Sequence, residues 1–261
     1  MIVLGFDTAT QATVVGLRMA DGSTLQARDD PRAGEHPGHA TRLLEMAAGL
    51  LSRAGVEWAE LRRVAVGVGP GRFTGLRVGI ATARGLAQSL DVQLVGVSSL
   101  RALGLAAARR EPTRPILAAI DARRGEAFVA GYLPGAALAR ERAAGEAPAG
   151  EIVVPRALGG EKLKDVIGEL ERSGAPHSAV GEGWLAVGDG ALCFAPELSQ
   201  GGVEVLEADS PLHAIDAAAI CELGALAADA EVDQQVLPDY RRSPDAALAG
   251  TRAPALGGTA R

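Results

Sequence analysis

Aromatic residues are scarce in this chain of 261 residues: Phe, Trp and Tyr together make up 3% of it. A core must then be assembled from Ala, Val, Leu and Ile, with 34 Gly allowing backbones to approach closely. At 48% hydrophobic content the chain is long enough to bury one large domain or two lobes without staples. Cysteine is nearly missing. Cys193 and Cys221 lie in apolar surroundings without metal-ligand spacing, which argues against a disulfide or zinc site and predicts two small buried hydrophobes, as suits a reducing cytosol. Positive charge is in deficit, with 26 Lys and Arg against 32 Asp and Glu and a net charge of -6. Affinity for nucleic acid comes largely from cations that displace phosphate counterions, so contact with RNA is expected to be indirect. The pairs Arg62/Arg63, Arg109/Arg110 and Arg123/Arg124 read as solvated surface. No apolar run approaches the roughly 18 residues of a membrane span. The strand-like start, Ile2 to Phe6, lacks the basic flank and cleavage site of a signal peptide. The expected location is the cytoplasm.

What is present is a repeated plan. Ile2 to Phe6 reads as a strand, followed by the polar loop Asp7-Thr8-Ala9-Thr10, a second strand Thr13 to Met19 and a turn at Asp21-Gly22. Ile116 to Ile120, the loop from Asp121 to Arg124, a strand Ala127 to Leu133 and a turn at Pro134-Gly135 repeat it. Asp7 and Asp121 occupy equivalent places. A duplicated unit of this kind predicts two related lobes whose loops face a central cleft. Helical spacing predicts amphipathic helices over His39 to Ala54, Thr74 to about Leu90 and Ser98 to Arg109, with strands at Val64 to Val68 and Gln93 to Val97. The boundaries expected are 1–110 plus 211–241 for the first lobe and 112–210 for a smaller second lobe. The second lobe should hold a looser section at Ala136 to Ala149, a helix at Gly160 to Ser173 and a strand near Ala179-Val180 before a turn at Gly181-Glu182-Gly183. A helix should run from Pro211 to about Ala230, then an extended packed segment from Val236 to Arg241, with a disordered tail over 244–261.

The strongest motif is Gly67 to Gly79, GVGPGRFTGLRVG. Its glycines permit unusual turns, and Thr74 is placed to cap the following helix, whose N-terminus suits an anion. The loop residues Gly69, Pro70, Gly71, Arg72, Phe73, Thr74 and Arg77 are therefore candidate nucleotide contacts, beside Asp7, Thr8 and Asp121. It matches neither the phosphate-binding P-loop nor the dinucleotide fingerprint, so a plain strand-to-helix turn stays open beside a phosphate site. Asp7, Thr8 and Thr10 could hold a magnesium-bound phosphate or simply cap a turn. Gly75, Gly79, Ala83 and Ala87 recur every four residues, a small-residue stripe that lets another helix come close, either in the core or across a subunit contact. His36 and His39 form an HxxH pair without a third ligand, which argues against a metal site. No nucleophile elbow or acid/base pair is assignable by spacing.

The blocks IVLGFDTAT (2–10), GPGRFTGLRVG (69–79), GVSSL (96–100), AIDARRGE (119–126), VGEGW (180–184) and PDYR (238–241) occur in the order found in the TsaB (YeaZ) family, which is related to the TsaD glycoprotease-like proteins. The chain resembles that family over about residues 1 to 241. The resemblance implies an α/β, two-lobed actin/Hsp70/sugar-kinase-like (ASKHA) fold with duplicated ribonuclease H-like lobes. It implies a non-catalytic subunit of the machinery that puts threonylcarbamoyl on adenosine 37 of tRNA, acting with a TsaD-like catalytic subunit and a TsaE-like ATPase. Alone, the chain is expected to form a homodimer. No cofactor is implied for the chain itself; ATP or ADP with a divalent cation belongs to the assembled complex. Family members pair through first-lobe helices, which map the expected interface to His39, Leu43, Met46, Leu50, Gly75, Leu76, Gly79, Ile80, Ala83 and Leu86. Two features separate this chain from its relatives: it lacks the HxxxH pair with which the catalytic paralogue holds metal, and Arg72 stands where the family usually has Ser. The rival readings are an ATP-dependent kinase or hydrolase of the same fold and, with less support, a metallopeptidase.

Overall fold

The computed structural model describes residues 1–32, 34–134, 151–159, 166, 168, 183–228 and 236–240. The chain starts with an antiparallel meander, β1 (Val3–Asp7), β2 (Thr13–Arg18) and β3 (Thr24–Asp29), followed by α1 (His39–Ala54). Two parallel strands then join it, β4 (Arg63–Gly69) and β5 (Gln93–Ser98), separated by α2 (Phe73–Leu90), and α3 (Ser99–Arg110) follows. The sheet order is β3-β2-β1-β4-β5.

The second sheet repeats this plan. It comprises β6 (Ile116–Arg123), β7 (Glu126–Tyr132), β8 (Glu151–Gly159), β9 (Leu185–Val187) and β10 (Glu204–Val205) in the order β10-β9-β6-β7-β8. Its first three strands pair antiparallel and its last two join parallel, as in the first sheet. The duplication and the two-lobed α/β fold are thus both present, with β1 and β6 in the same slot. The remaining helices are α4 (Asp189–Cys193), α5 (Ala195–Gln200) and α6 (Ala217–Leu226).

Strand periodicity sorts side chains between layers. Leu4, Phe6, Val64 and Val66 point toward α1 and α2, where Leu43, Met46, Leu50, Ile80 and Ala83 meet them. Val3, Ala65, Val95 and Val97 point the other way, into a core shared with Leu100, Leu103, Ile220 and Leu223 of α3 and α6 and with Ile116, Ala118 and Ile120 of β6. Because α3 and α6 lie in the core common to both sheets, the lobes share one apolar centre. Strand β1 is therefore covered on both faces and has no exposed residue. Close approach of α6 needs Gly5 and Gly16, since a Cβ at either would lie 2.7 Å or 2.9 Å from the Cys221 sulfur.

Several local expectations change. The helix expected from Pro211 is split. Ser210 caps a single 3-10 turn, Pro211–His213, the chain then runs extended at Ala214, and Asp216 caps a new helix through the Ala218 N–H at 2.9 Å. Thr74 is no cap: it lies inside α2, whose N-cap position is Arg72 with no side-chain bond. Cys221 is buried as expected, but Cys193 is exposed, because it sits at the last position of the five-residue α4. Strands β3, β8, β9 and β10 and helices α4 and α5 have no counterpart in the sequence reading. The features expected over Ala136–Ala149, Gly160–Ser173, Ala179–Val180, Gly181–Glu182 and 244–261 fall outside the described residues, apart from helical Val166 and Gly168.

Candidate functional site

The end of β1 meets the glycine-rich segment in a closely fitted junction. The Asp7 carboxylate is buried, taking the Ala9 N–H on Oδ1 at 2.6 Å and the Ser99 hydroxyl on Oδ2 at 2.5 Å. Ser99, the first residue of α3, also accepts the Gly69 N–H at 3.2 Å. Thr8 is buried too and donates its hydroxyl to the Gly75 carbonyl at 2.8 Å. The Arg72 N–H reaches the Ala9 carbonyl at 2.7 Å. These bonds require backbone or side chain where a Cβ would stand. One at Gly67 would strike the Asp7 carboxylate, at Gly75 the Thr8 carbonyl and at Gly79 the Thr8 hydroxyl, and at Gly71 it would lie 2.5 Å from the Ala9 carbonyl. The four glycines at 67, 71, 75 and 79 therefore serve the packing of the Asp7 loop against β4 and α2. Gly69 has φ +99° and precedes Pro70 through a cis peptide.

This corrects the expectation that Asp7 and Thr8 face the cleft. Burial pushes the Asp7 carboxyl above the usual carboxylate range, against the lowering effect of its bonds to Ser99 and Ala9. A magnesium ion with its phosphate would have to displace both donors and enter a closed space, so the Asp7 side does not fit that group. Among the described residues no cluster of three or more His, Cys, Asp or Glu is gathered for a metal. His36 is exposed, whereas His39 is buried with Nδ1 at 2.9 Å from the Thr13 hydroxyl.

Asp121, in the equivalent slot of the second lobe, has a different fate. It remains partly exposed near the tip of the β6–β7 hairpin, accepting the Arg123 N–H at 2.8 Å, with the Arg123 guanidinium at 3.4 Å. Its own N–H goes to Asp189 of α4 at 2.9 Å. Arg123 and Arg124 take left-handed φ of 67° and 55° at the tip, a region that non-glycine residues visit rarely. Arg72 of the first lobe feels the charges of this cluster: burial lowers its pKa, Arg123 lowers it further, and Asp121 and Asp189 oppose the change. Its Nη1 is buried with no hydrogen-bond partner. Burial likewise raises the Asp189 carboxyl, against the lowering effect of the Asp121 N–H bond, while the Asp121 charge adds to the rise. Of the expected loop contacts, Asp7 and Thr8 turn inward, while the charge of Asp121 is felt at Arg72.

The residues assigned to a partner interface are corrected by their burial. His39, Leu43, Met46 and Leu50 of α1, and Gly75, Leu76, Gly79, Ile80 and Ala83 of α2, are all buried in the chain's own core, and Leu86 is half-buried. The small-residue stripe of α2 meets Thr8 and the sheet. The outer faces of the helices carry other residues: Ala40, Leu44, Ala48 and Ser52 on α1, and Phe73, Arg77, Ala81, Arg84 and Gly85 on α2. Leu44 is 46% exposed. On α2 the sequence signal for this face was Ala81 and Gly85, each two positions from the core stripe and therefore on the opposite side of the helix. Phe73 and Arg77, named with the loop as candidate nucleotide contacts, stand at the first turns of α2, where Arg77 lies 3.8 Å over the Phe73 ring.

Comparison with known proteins accords with these blocks. The family model of TsaD, tRNA N6-adenosine threonylcarbamoyltransferase, matches residues 34–237. The tRNA threonylcarbamoyladenosine biosynthesis protein TsaB of Escherichia coli is 39% identical over 132 residues, 51% of this chain and 55% of that protein. Its counterpart in Haemophilus influenzae is 34% identical over 128 residues, 49% and 52% of the two chains. The chain thus spans about half the length of these relatives in the matched stretch. Among solved structures, YeaZ from Pseudomonas aeruginosa aligns over 92% of this chain and 99% of its own, with 29% identity and a TM-score of 0.67. No helix among the described residues is long and apolar enough to cross a membrane.

Proposed function

We propose that this chain, which belongs to the TsaD family of tRNA N6-adenosine threonylcarbamoyltransferases, is a non-catalytic subunit of tRNA threonylcarbamoyladenosine synthesis that binds and activates a TsaD-like catalytic partner. The observation that carries this reading is the closed Asp7 junction. A carboxylate at the end of the first strand is the group an ATP-using member of such a fold would present, and here both of its oxygens are engaged by Ser99 and Ala9. The relatives named for threonylcarbamoyladenosine biosynthesis support the pathway, and the likeness to YeaZ over 92% of this chain supports the shared fold.

The outer faces of α1 and α2 suit the partner contact. Leu44 and the exposed small residues Ala48, Ala81 and Gly85 let a second pair of helices approach closely. In this reading the same face closes a homodimer when the chain is alone, and a TsaE-like ATPase joins the assembled complex. Nucleotide and divalent cation are held at the level of that complex, with Arg72 and Asp121 the candidate contacts from this chain. With the net charge of -6, tRNA is reached through the partners.

The test is reconstitution of tRNA threonylcarbamoylation from purified synthase, TsaD-like subunit and TsaE-like ATPase, with and without this chain. Modified adenosine should depend strictly on the chain and be undetectable with the chain alone. Full modification in its absence would overturn the assignment.

A further inference from the structure

Three of the six large hydrophobic side chains exposed among the described residues, Phe73, Leu237 and Tyr240, belong to one region. They are 49%, 54% and 48% exposed. The segment 236–240 lies against the first sheet and α2. Val236 is buried near Gly96, the Asp239 N–H donates to the Val68 carbonyl at 2.8 Å, and Arg84 donates to the Val236 carbonyl at 2.5 Å. Tyr240 then stacks on Phe73 with ring centroids 5.3 Å apart, and Arg77 both covers the Phe73 ring and donates from Nε to the Tyr240 hydroxyl at 3.0 Å. Aromatic side chains held this firmly in solvent lose little further freedom on binding, which is the property of an interface anchor.

The charge of the region identifies what would cover it. Arg77 and Arg84 are one face of α2 apart by seven residues, and among the described residues neither is paired with a carboxylate. On a chain with an excess of acidic groups, these are two local cations beside exposed aromatic surface, set against the single carboxylate of the described segment, Asp239. Apolar anchors flanked by guanidinium groups complement a segment that offers carboxylates around a hydrophobic residue.

We infer that the patch formed by Phe73, Leu237 and Tyr240 with Arg77 and Arg84 docks an acidic segment of a partner protein that carries an apolar residue between its carboxylates. The carboxylates pair with the remaining guanidinium N–H groups, and the apolar residue lies on Tyr240 and Leu237. This rests on the reading of the outer α1–α2 face, to which Phe73, Arg77 and Arg84 belong, and deepens it by naming the chemistry of the segment that face would receive.

The probe is a fluorescein-labelled peptide of glutamates flanking one Leu-Phe pair, titrated with the full chain and followed by anisotropy. A lysine-for-glutamate peptide and an anticodon stem-loop RNA are titrated in parallel. The acidic peptide should bind, weaken as salt rises, and lose roughly tenfold or more in affinity on Arg77→Gln/Arg84→Gln. The glutamine at 77 keeps a donor where Arg77 Nε meets Tyr240, the one at 84 gives up the terminal donor to Val236, both remove the charge, and an unchanged melting curve would show the fold intact. Tyr240→Ala should weaken the peptide as well. Absence of acidic-peptide binding, binding unchanged by the double substitution, or equal capture of the lysine peptide would overturn the inference. So would binding of the RNA through the same two arginines. Complex formation with the TsaD-like subunit, read separately on a sizing column, keeps the two readings distinguishable: a complex that persists while the acidic peptide fails to bind overturns this inference alone, and peptide binding without a complex overturns the partner-subunit reading alone.

Discussion

Ser99 donates its hydroxyl proton to Asp7 at 2.5 Å while accepting the Gly69 N–H at 3.2 Å. One side chain at the start of α3 thereby ties the end of β1 to the end of β4. Asp7 becomes part of the framework, and its substitution separates a structural role from a chemical one. Asp7→Asn keeps an acceptor for the Ala9 N–H, so the reconstituted modification reaction should retain wild-type activity within about twofold, an expectation set by the burial of the group rather than by any reacting atom. Loss of activity in a protein with an unchanged melting curve would return Asp7 to chemistry. Ser99→Ala leaves one carboxylate oxygen buried without its donor and should cost about 1–3 kcal/mol in urea unfolding.

Asp7 also shapes the dependence of stability on pH. Its pKa is raised in the folded state, so the native protein holds this proton more tightly than the unfolded chain. That contribution is present below the unfolded value near 3.8 and is lost as pH rises through the raised native value. Asp7→Asn should remove this falling segment from a plot of unfolding free energy against pH. An unchanged plot would argue against the buried carboxyl as its source.

His39 acts with the opposite sign. Burial, with Arg72 nearby, lowers its pKa from 6.5, so the native state keeps it neutral beside Thr13. Its stability contribution is complete above 6.5 and declines as pH falls toward the lowered native value. His39→Gln should flatten stability between neutral and mildly acidic pH. Chemical denaturation at several pH values measures it.

Two glycines of α2 should behave oppositely. At Gly79 an added Cβ meets the Thr8 hydroxyl, and Gly79→Ala should destabilise the fold by about 1–3 kcal/mol through overpacking. At Gly85 nothing lies within 4 Å, and Gly85→Ala should stabilise by up to about 1 kcal/mol through helix propensity. Gly85→Arg should leave the monomer folded while abolishing complex formation on a sizing column. A persistent complex would remove the outer α2 face from the interface.

The two thiols should differ in reactivity. Cys193 is exposed, whereas burial pushes the Cys221 thiol up to about 12. An Ellman titration of the native protein should label one thiol readily and the second only after unfolding. Rapid labelling of both would contradict the packing of Cys221 between Gly5 and Gly16.

The elements themselves were legible because their signals are local. The helices at 39–54 and 73–90, the strand that ends at Asp7 and the repeated hairpin each follow from residue spacing and turn chemistry within a dozen neighbours. Strand β3 was not, since its half-exposed alternating face draws its support from pairing with β2. The split at Ala214 was hidden because a proline start and apolar residues on both sides suit one helix as well as two.

Sequence by itself determined the duplicated plan, the position of the glycine-rich turn and the spacing of apolar stripes on α1 and α2. Tertiary structure alone decided which stripe faces inward. Leu43 and Ala83 are core residues and Leu44 and Ala81 are surface residues, although each pair is chemically alike on paper. Burial is a non-local property. A helix offers small apolar residues to whatever lies beside it, and only the docking of Thr8 into the space above Gly75 and Gly79 selects the face that the sheet will cover. The same holds for Asp7, whose carboxylate could serve a ligand or a framework until Ser99, 92 positions along the chain, arrives to occupy it.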